Sequence, residues 1–345
     1  MDLQKIVRPN VLQLAAYSSA RSEYSGTADM VMLDANENPY GAAYARYPDP
    51  LQAALKERLA DIRDVSEEQV FVGNGSDEII DLLIRLTCQP GQDTILTLDP
   101  SYGMYKVSAA INDVELQLVP MQEDLTVDPN ALLTAISNQK LIFLCSPNNP
   151  DGSLLPTELI EEVLTRAKGL VIIDEAYIDF ADQESWTTRL SDHPNLVVLQ
   201  TFSKSWAAAG IRVGVGYMSV ELVALLNKIK PPYNVSTPAQ EAALQVLKDY
   251  DRLQEEIATI KQQRHWLSAA LTALPSVRTV FPSEANFLLV RFHNAELTYQ
   301  LLKDRGIVVR NRSAQTHCHN TLRITVGTPA QNKLLIQTLK QIQDG

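Results

Sequence analysis

The 345-residue sequence is poor in cysteine, in positive charge and in long apolar runs, and each shortage excludes a class of protein. Its three cysteines, Cys88, Cys145 and Cys318, are odd in number and scattered, which is typical of reduced intracellular thiols and not of a disulfide framework. The net charge of −11 disfavours nucleic-acid and anionic-membrane partners, because such surfaces are bound through a positive field. With no membrane-length apolar run and no secretory apolar core at the start, we expect a cytoplasmic protein.

Histidine is also scarce, and only one group of potential metal ligands stands out. His317-Cys318-His319 could suggest a metal, but no further ligands lie at suitable spacing. We therefore expect a loop there and no metal site.

From about residue 70, short apolar runs alternate with amphipathic stretches, which predicts an α/β fold with a mostly parallel sheet. Seven strands are expected, at 69–73, 94–98, 114–119, 140–145, 170–174, 195–201 and 213–218. Several are apolar at consecutive positions, as strands buried on both faces should be. Open α/β sheets bind ligands beyond the carboxyl ends of their strands, so functional residues should follow these segments.

The length exceeds the size at which a single core usually keeps growing, so two domains are expected. After Pro231 and Pro232 a long helical stretch is predicted at about 237–271. Short strands follow around 286–292, 306–310 and 322–326, with helices at 295–304 and 329–343, which indicates a smaller α+β domain. We expect an N-terminal arm with part of the small domain (1–40), a large cofactor-binding domain (41–250) and a C-terminal small domain (251–345).

The segment Val72-Gly-Asn-Gly-Ser-Asp-Glu ends one predicted strand and opens a helix. Backbone N–H groups and the helix dipole converge there, and glycine lets a ligand come close, so a phosphate would fit. The alternative is an ordinary strand-to-helix turn with Ser76 or Asp77 as the N-cap.

Lys204 stands at the end of another predicted strand, in Thr201-Phe-Ser-Lys-Ser-Trp, eight residues before Arg212. A lysine in a low-dielectric pocket near a second cation loses proton affinity and becomes an amine nucleophile for carbonyl chemistry. The alternative is a solvated lysine that opens a helix.

Asp174 ends the apolar run Leu170-Val-Ile-Ile-Asp, where a buried carboxylate is costly unless it meets a cation or donors. A protonated pyridine nitrogen is such a cation. Metal binding by Asp174 and Glu175 competes with this interpretation, but no His or Cys lies nearby at ligand spacing. Asn149 lies in the turn after the preceding strand, so it could point into the same crevice.

These segments occur in the same order as in the fold type I family of pyridoxal-phosphate enzymes, and they most closely resemble its histidinol-phosphate aminotransferases. Further matching segments are Asp34-Ala-Asn-Glu-Asn-Pro, Ala45-Arg-Tyr-Pro-Asp-Pro, Asp99-Pro-Ser-Tyr-Gly-Met-Tyr and Leu322-Arg-Ile-Thr-Val-Gly-Thr. Each is weak alone, but the ordered set spans nearly the whole chain. The resemblance implies a fold type I enzyme with a seven-stranded sheet between helices, and pyridoxal 5′-phosphate as the cofactor.

The resemblance also implies roles around the cofactor ring. Lys204 would carry the cofactor as a Schiff base and move a proton between the substrate's α-carbon and the cofactor, while Asp174 would pair with the pyridinium nitrogen. Tyr177 and Asn149 would bond the phenolic oxygen, and Tyr102 would stack on the ring. Lys204, Asp174 and Tyr177 are thus the expected catalytic residues.

Around the cofactor's phosphate, the resemblance implies contacts from Ser76, Asp77, Ser203 and Arg212. Tyr47 would reach the same phosphate from the neighbouring subunit of a homodimer with shared sites. A dianionic cofactor in an acidic protein needs a local cluster of positive charge, which Lys204 and Arg212 would supply.

For the substrate, the resemblance implies contacts from Arg323, Asn36 and Tyr17. Arg310 could converge with Arg323 on a distal phosphate, since two guanidinium forks suit a phosphate better than a carboxylate, although Arg312 could replace it. The expected reaction exchanges an amino group between glutamate or 2-oxoglutarate and histidinol phosphate or imidazole-acetol phosphate. The alternatives are an aromatic amino-acid aminotransferase and a threonine-phosphate decarboxylase. A binding module without catalysis is disfavoured by the retained site residues.

Overall fold

The fold is built on two β-sheets, as seen in a computed structural model that describes residues 2–15, 31–41 and 43–344. Within these ranges, no helix is both long enough and apolar enough to cross a membrane. The larger sheet carries the residues of interest, and the smaller sheet faces its carboxyl edge. The predicted α/β fold class is confirmed.

The larger sheet has seven strands in the order β1-β7-β6-β5-β4-β2-β3. Only β7 runs against the others, since it pairs antiparallel with both β1 and β6. The sheet is therefore mostly parallel, as predicted. Its strands are β1 (Val70–Gly73), β2 (Thr94–Asp99), β3 (Glu115–Pro120), β4 (Leu141–Cys145), β5 (Leu170–Asp174), β6 (Leu196–Thr201) and β7 (Gly214–Tyr217).

Helices cover both faces of this sheet. Successive side chains of a strand point to opposite faces, so a strand that is apolar at every position needs an apolar partner on each face. In β5, Val171 and Ile173 belong to one apolar core, and Leu170 and Ile172 belong to the other. The helices along this part of the chain are α1 (Leu3–Ile6), α2 (Pro9–Leu12), α3 (Ala53–Arg63), α4 (Ser76–Thr87), α5 (Met104–Ile111), α6 (Pro129–Ala135), α7 (Thr157–Arg166), α8 (Val220–Ile229) and α9 (Thr237–Lys248).

The smaller sheet is antiparallel, in the order β10-β11-β9-β8, and has its own apolar core against three helices. Its strands are β8 (Val277–Val280), β9 (Phe287–Phe292), β10 (Arg310–Asn311) and β11 (Thr321–Thr325). The helices are α10 (Tyr250–Thr272), α11 (Ala295–Asp304) and α12 (Pro329–Asp344).

Three details of this C-terminal part differ from the sequence-based expectation. The single helix expected at 237–271 is two helices that meet at Asp249, a residue type that competes with helix hydrogen bonding. The strand expected at 306–310 is wrong for most of its length, because Gly306 closes α11 with φ 78° and only Arg310–Asn311 pairs with β11. The edge strand β8 was missed.

Candidate functional site

A cavity of about 170 Å³ opens at the carboxyl edge of the parallel strands. Its lining residues end or follow strands, because the carboxyl ends of parallel strands meet at one edge. They are Ser76, Asp77, Tyr102, Cys145, Asn149, Asp174, Ala176, Tyr177, Thr201, Ser203, Lys204, Ala209 and Arg212. Every residue that the sequence analysis assigned to the cofactor lines this cavity, except Tyr47. A larger cavity of about 680 Å³ lies at the opposite edge, around Lys140 and Gly169, and holds none of the predicted residues.

Asp174 is the last residue of β5, and its side chain is buried. One carboxylate oxygen, Oδ2, accepts a hydrogen bond of 2.6 Å from the hydroxyl of Tyr105, and Oδ1 accepts one of 3.2 Å from the backbone N–H of Ala176. Burial raises the pKa of Asp174, while the Tyr105 hydrogen bond opposes that shift. A carboxylate in this position is stabilised by a cation brought into the cavity.

Lys204 lies in the turn after β6, half-buried, with Nζ 5.7 Å from the ring centroid of Tyr177. Burial lowers the pKa of Lys204, and the guanidinium groups of Arg323 and Arg212 lower it further, against the opposing charge of Asp174. A fully solvated surface lysine would show neither effect. The geometry therefore supports an amine that can act as a nucleophile.

A buried carboxylate behind the cavity holds the turn that carries Lys204. Asp179 Oδ2 accepts hydrogen bonds from Ser205 Oγ at 2.5 Å and from Trp206 Nε1 at 3.0 Å. Its Oδ1 accepts one of 2.7 Å from Arg63 Nη2, which reaches over from α3. The sequence analysis missed this pair, because Arg63 and Asp179 are far apart in the chain and belong to no common motif.

Glu175 does not join Asp174 in a single site. Its carboxylate accepts hydrogen bonds from Ser185 Oγ at 2.5 Å, from the N–H of Trp186 at 2.7 Å and from Gln200 Nε2 at 2.9 Å. Burial raises its pKa to about 7. The carboxylates of Asp174 and Glu175 thus have different hydrogen-bond partners and do not meet at one point. The competing interpretation, in which the two bind a metal together, has no geometric support.

The start of α4 forms a cradle for an anion. Gly75, with φ 76° and ψ 162°, precedes the first helical residue Ser76, and no side chain caps the helix. The alternative in which Ser76 or Asp77 is the N-cap is therefore wrong. A Cβ on Gly75 would lie 2.6 Å from Nη2 of Arg212, and one on Gly214 would lie 2.2 Å from the backbone N of Ser76. The glycines thus admit the close approach that sequence reasoning expected of them.

Arg212 completes this cradle from the turn before β7. Its Nη1 donates to Ser203 Oγ at 3.4 Å, and its Nη2 lies 3.8 Å from Asp77 Oδ2. Tyr102 closes the side of the cavity and donates its hydroxyl to Asp77 Oδ1 at 2.9 Å. Uncapped N–H groups, a hydroxyl and a guanidinium are the donors that a phosphate group requires, so these residues fit the phosphate of pyridoxal phosphate.

Arg323 joins the cavity from the smaller sheet. Its Nη1 donates to Asn149 Oδ1 at 2.5 Å, and its guanidinium lies 5.1 Å from the ring centroid of Phe287. This contact uses the oxygen of the Asn149 amide and leaves its NH₂ group as the donor. Tyr177, whose side chain is 6% exposed, packs edge-on against the same Phe287 ring.

Arg310 and Arg312 extend the positive charge from Arg323 along one face of the smaller sheet. Arg310 is the Cα partner of Arg323 and is exposed, and Arg312 follows two residues later on the same face. Burial, with the neighbouring Arg323 and Arg310, lowers the pKa of Arg312 to about 10. In the described part of the chain, Arg312 Nε is buried without a hydrogen-bond partner, and none of the three pairs with a carboxylate.

Two of the predicted residues, Tyr47 and Asn36, are not among those that line the cavity. Tyr47 is half-exposed and stacks on Tyr233, with ring centroids 4.3 Å apart. Asn36 is exposed and has a left-handed backbone with φ 55°. Tyr17 lies outside the described residues. Within the described residues, the cavity lining of one chain is thus formed without the side chains of Tyr47 and Asn36.

The family model for class I and II aminotransferases matches residues 9–339. A histidinol-phosphate aminotransferase of Christiangramia forsetii is 48% identical over 345 residues and covers 99% of both chains. One from Parabacteroides distasonis is 49% identical over 343 residues, with the same coverage. The chain belongs to the histidinol-phosphate aminotransferase family. Membership makes it a pyridoxal-phosphate-dependent aminotransferase, as the resemblance implied.

Solved structures of the family agree with the fold. The histidinol-phosphate aminotransferase of Clostridium acetobutylicum superposes with a TM-score of 0.81 at 27% identity, covering 87% of this chain and 91% of that one. That of Sinorhizobium meliloti, in complex with pyridoxal-5′-phosphate, gives 0.78 at 26% identity, with 89% and 90% covered. L-threonine-O-3-phosphate decarboxylase from Porphyromonas gingivalis gives 0.73 at 24% identity and shows the shared fold alone.

Proposed function

We propose that this member of the family transfers the amino group between histidinol phosphate and 2-oxoglutarate, in either direction. The observation that carries the proposal is a cavity that contains Lys204 and Asp174, with a rim of three arginines on the smaller sheet beside it. In this rim Arg323 donates to the cavity residue Asn149, Arg310 is paired in register with Arg323, and Arg312 follows. The names of the relatives at 48–49% identity support the same substrate. A phosphorylated amino alcohol has an amino group that can react at Lys204 and a dianionic phosphate that can bind the arginines of the rim.

Different residues of the cavity would bind different parts of the cofactor. When bound, pyridoxal phosphate supplies a carbonyl that condenses with amines and a ring that withdraws electrons from the substrate's α-carbon. Asp174 would hold the ring nitrogen in its protonated form, and Tyr177 and Asn149 would bond the phenolic oxygen. Tyr102 would pack on the ring face. The N–H groups of Ser76 and Asp77, with the side chains of Ser203 and Arg212, would bind the phosphate.

Lys204 has two roles in this proposal. Its Nζ would hold the cofactor covalently, which requires the neutral amine that burial and the nearby guanidinium groups favour. The same Nζ would also take the proton from the substrate's α-carbon. Positioned acid–base groups contribute about 10²- to 10⁴-fold to rate, so this amine should dominate turnover.

For the substrate phosphate we propose that Arg323 and Arg310 bind jointly. Their registered positions on adjacent strands place both guanidinium groups on one face of the sheet. Arg312 shares that face, so it is the matched comparison. Loss of a hydrogen bond to a charged group weakens binding about ten- to a hundredfold.

The measurement is the ratio of specificity constants for histidinol phosphate and histidinol in wild type, Arg310→Ala and Arg312→Ala. A fall in the ratio for Arg310→Ala alone supports the proposal, whereas equal loss on both substrates means that Arg310 does not read the phosphate. If only Arg312→Ala lowers the ratio, Arg312 takes its place.

A coupled transamination assay tests the proposed reaction against its alternatives. Histidinol phosphate should react fastest with 2-oxoglutarate as acceptor, followed at a distance by phenylalanine. Preference for phenylalanine would instead indicate an aromatic amino-acid aminotransferase. Release of carbon dioxide from threonine phosphate without an amino acceptor would indicate a decarboxylase.

We further propose a homodimer in which Tyr47 reaches the phosphate of the partner's site. Large apolar side chains are exposed between residues 31 and 51, at Val31, Leu33, Tyr40, Tyr44, Tyr47 and Leu51. An apolar stretch of this kind is typical of a surface covered by another chain. Asn36 lies in the same segment, and for it and for Tyr17 we propose contacts with the substrate that require the assembled dimer.

Mixing two inactive variants tests the shared site. If Tyr47 acts in trans, a mixed dimer of Tyr47→Ala and Lys204→Ala subunits contains one complete site, and random exchange restores about a quarter of wild-type activity. If each site lay within one chain, no mixed dimer would contain a complete site. Absence of rescue, with subunit exchange shown independently, would contradict the proposal.

The division into an arm (1–40), a large domain (41–250) and a small domain (251–345) is also a proposal. The break between α9 and α10 at Asp249 supports the second boundary. Limited proteolysis that first cuts near residue 250 would support it, and a stable fragment extending across residue 250 would contradict it.

A further inference from the structure

Tyr105 is a buried tyrosine that the proposed chemistry does not use. It lies in the first turn of α5, three residues after Tyr102, which precedes the helix. Its exposed fraction is 0%, and its ring stacks on Phe143 with centroids 4.8 Å apart. Tyr102 packs against it edge-on at 5.5 Å. The ring is thus fixed on both sides.

The hydroxyl of Tyr105 is also held in one position. It donates to Asp174 Oδ2 at 2.6 Å, a short bond of the kind that forms between a hydroxyl and a charged carboxylate. Within the described residues, the backbone N–H of Ala176, at 3.2 Å, is the only other hydrogen-bond donor to the Asp174 carboxylate. Because Asp174 is buried, the hydrogen bonds from Tyr105 and Ala176, with the charge of Lys204, are what favour its charged form.

We propose that Tyr105 is a positioning residue that keeps Asp174 ionised and directed at the ring nitrogen of the cofactor. By donating to Oδ2, it leaves Oδ1 for the protonated nitrogen and fixes the carboxylate plane. Packing against Tyr102 links this contact to the residue that covers the ring face. The inference rests on the proposed pairing of Asp174 with the ring nitrogen.

A purely structural role of Tyr105 and the proposed positioning role predict different effects on cofactor affinity. If Tyr105 only fills space, removing its hydroxyl should change the affinity for any cofactor of the same shape equally. If it acts through Asp174, the loss should be confined to a cofactor that carries a ring nitrogen. The 1-deaza analogue of pyridoxal phosphate, with carbon in place of that nitrogen, separates the two.

The experiment titrates apoprotein with pyridoxal phosphate and with its 1-deaza analogue, following the absorbance of the bound cofactor. Wild type should bind pyridoxal phosphate more tightly than the analogue. In Tyr105→Phe the affinity for pyridoxal phosphate should fall about ten- to a hundredfold, since a hydrogen bond to a charge is lost. Affinity for the analogue should change little. The matched control is Tyr217→Phe, which removes another fully buried tyrosine hydroxyl away from the cavity.

A second variant checks that the effect passes through Asp174. In an Asp174→Asn background, adding Tyr105→Phe should cause no further loss of affinity for pyridoxal phosphate, because the charge that Tyr105 serves has gone. Additive losses would overturn the inference, as would equal losses on both cofactors in Tyr105→Phe. If wild type itself did not distinguish the two cofactors, the proposed pairing of Asp174 would fail first, and this inference with it.

Discussion

Replacement of Asp179 by alanine is expected to lower the free energy of unfolding by about 3 to 5 kcal/mol, because it leaves the largely buried guanidinium of Arg63 without its carboxylate partner. The side chains of Arg63 and Asp179 are only 13% and 17% exposed, and they are 2.7 Å apart. Burial alone would raise the pKa of Asp179, yet Arg63, Ser205 and Trp206 together hold that pKa below its usual range. The ion pair and the hydrogen bonds from Ser205 and Trp206 together therefore outweigh the cost of burying the carboxylate.

Urea unfolding of the holoenzyme, at fixed protein and cofactor concentrations, measures this loss, since ligand and partner both shift apparent stability. Arg63→Ala and the Arg63→Ala/Asp179→Ala double variant complete the cycle. The double variant should be less destabilised than the sum of the singles, with a coupling of about 0.5 to 3 kcal/mol. A loss below about 1 kcal/mol in Asp179→Ala, the range of an exposed pair, would refute the reasoning.

The same variant has a functional consequence, because Asp179 holds the two residues that follow Lys204. In folded Asp179→Ala at low temperature, kcat should fall more than KM rises, since Lys204 is less well positioned for proton transfer. The matched control is Arg252→Ala, which breaks an exposed ion pair with Glu256 and should alter neither stability nor kcat appreciably. Normal kcat in Asp179→Ala would show that the turn keeps its position without this carboxylate.

Three further predictions concern single side chains around the site. Lys204→Ala should reduce transamination by at least about 10²- to 10⁴-fold with an unchanged circular-dichroism spectrum, and near-normal turnover would exclude the proposed role. The pKa of Glu175, raised from 4.5 to about 7 by burial, means that its contribution to stability is present below pH 4.5 and is lost as pH rises through about 7. Unfolding measured at pH 5 and pH 8 should therefore show a smaller decrease in Glu175→Gln than in wild type, and an equal decrease would contradict that assignment. Gly75 has φ 76°, and a Cβ added there would lie 2.6 Å from Nη2 of Arg212. Gly75→Ala should therefore lower the free energy of unfolding by about 1 to 3 kcal/mol and weaken cofactor binding. A cofactor affinity equal to that of wild type, measured by titrating the apoprotein, would contradict the proposed phosphate cradle.

The strands of the larger sheet were predictable because their signal is local. Runs such as Leu141–Cys145 and Leu170–Asp174 are apolar at every position, as strands buried on both faces must be, and polar residues follow each of them. The carboxyl ends of parallel strands meet at one edge, so the order of the motifs was enough to predict that Asn149, Asp174 and Lys204 share a cavity. The errors in strand prediction lay at the short edge strands β8 and β10, because two to four residues show little periodicity.

The sequence by itself therefore determined the fold class, the family and most of the residues that line the cavity, because each is encoded by residue types within a few positions of one another. Only the tertiary structure decided which groups support them. Tyr105 on Asp174, Arg63 on Asp179 and Arg323 on Asn149 join residues that are 69, 116 and 174 positions apart. No local pattern specifies such pairs, because a buried hydrogen bond depends on the positions that packing gives to separate helices and strands.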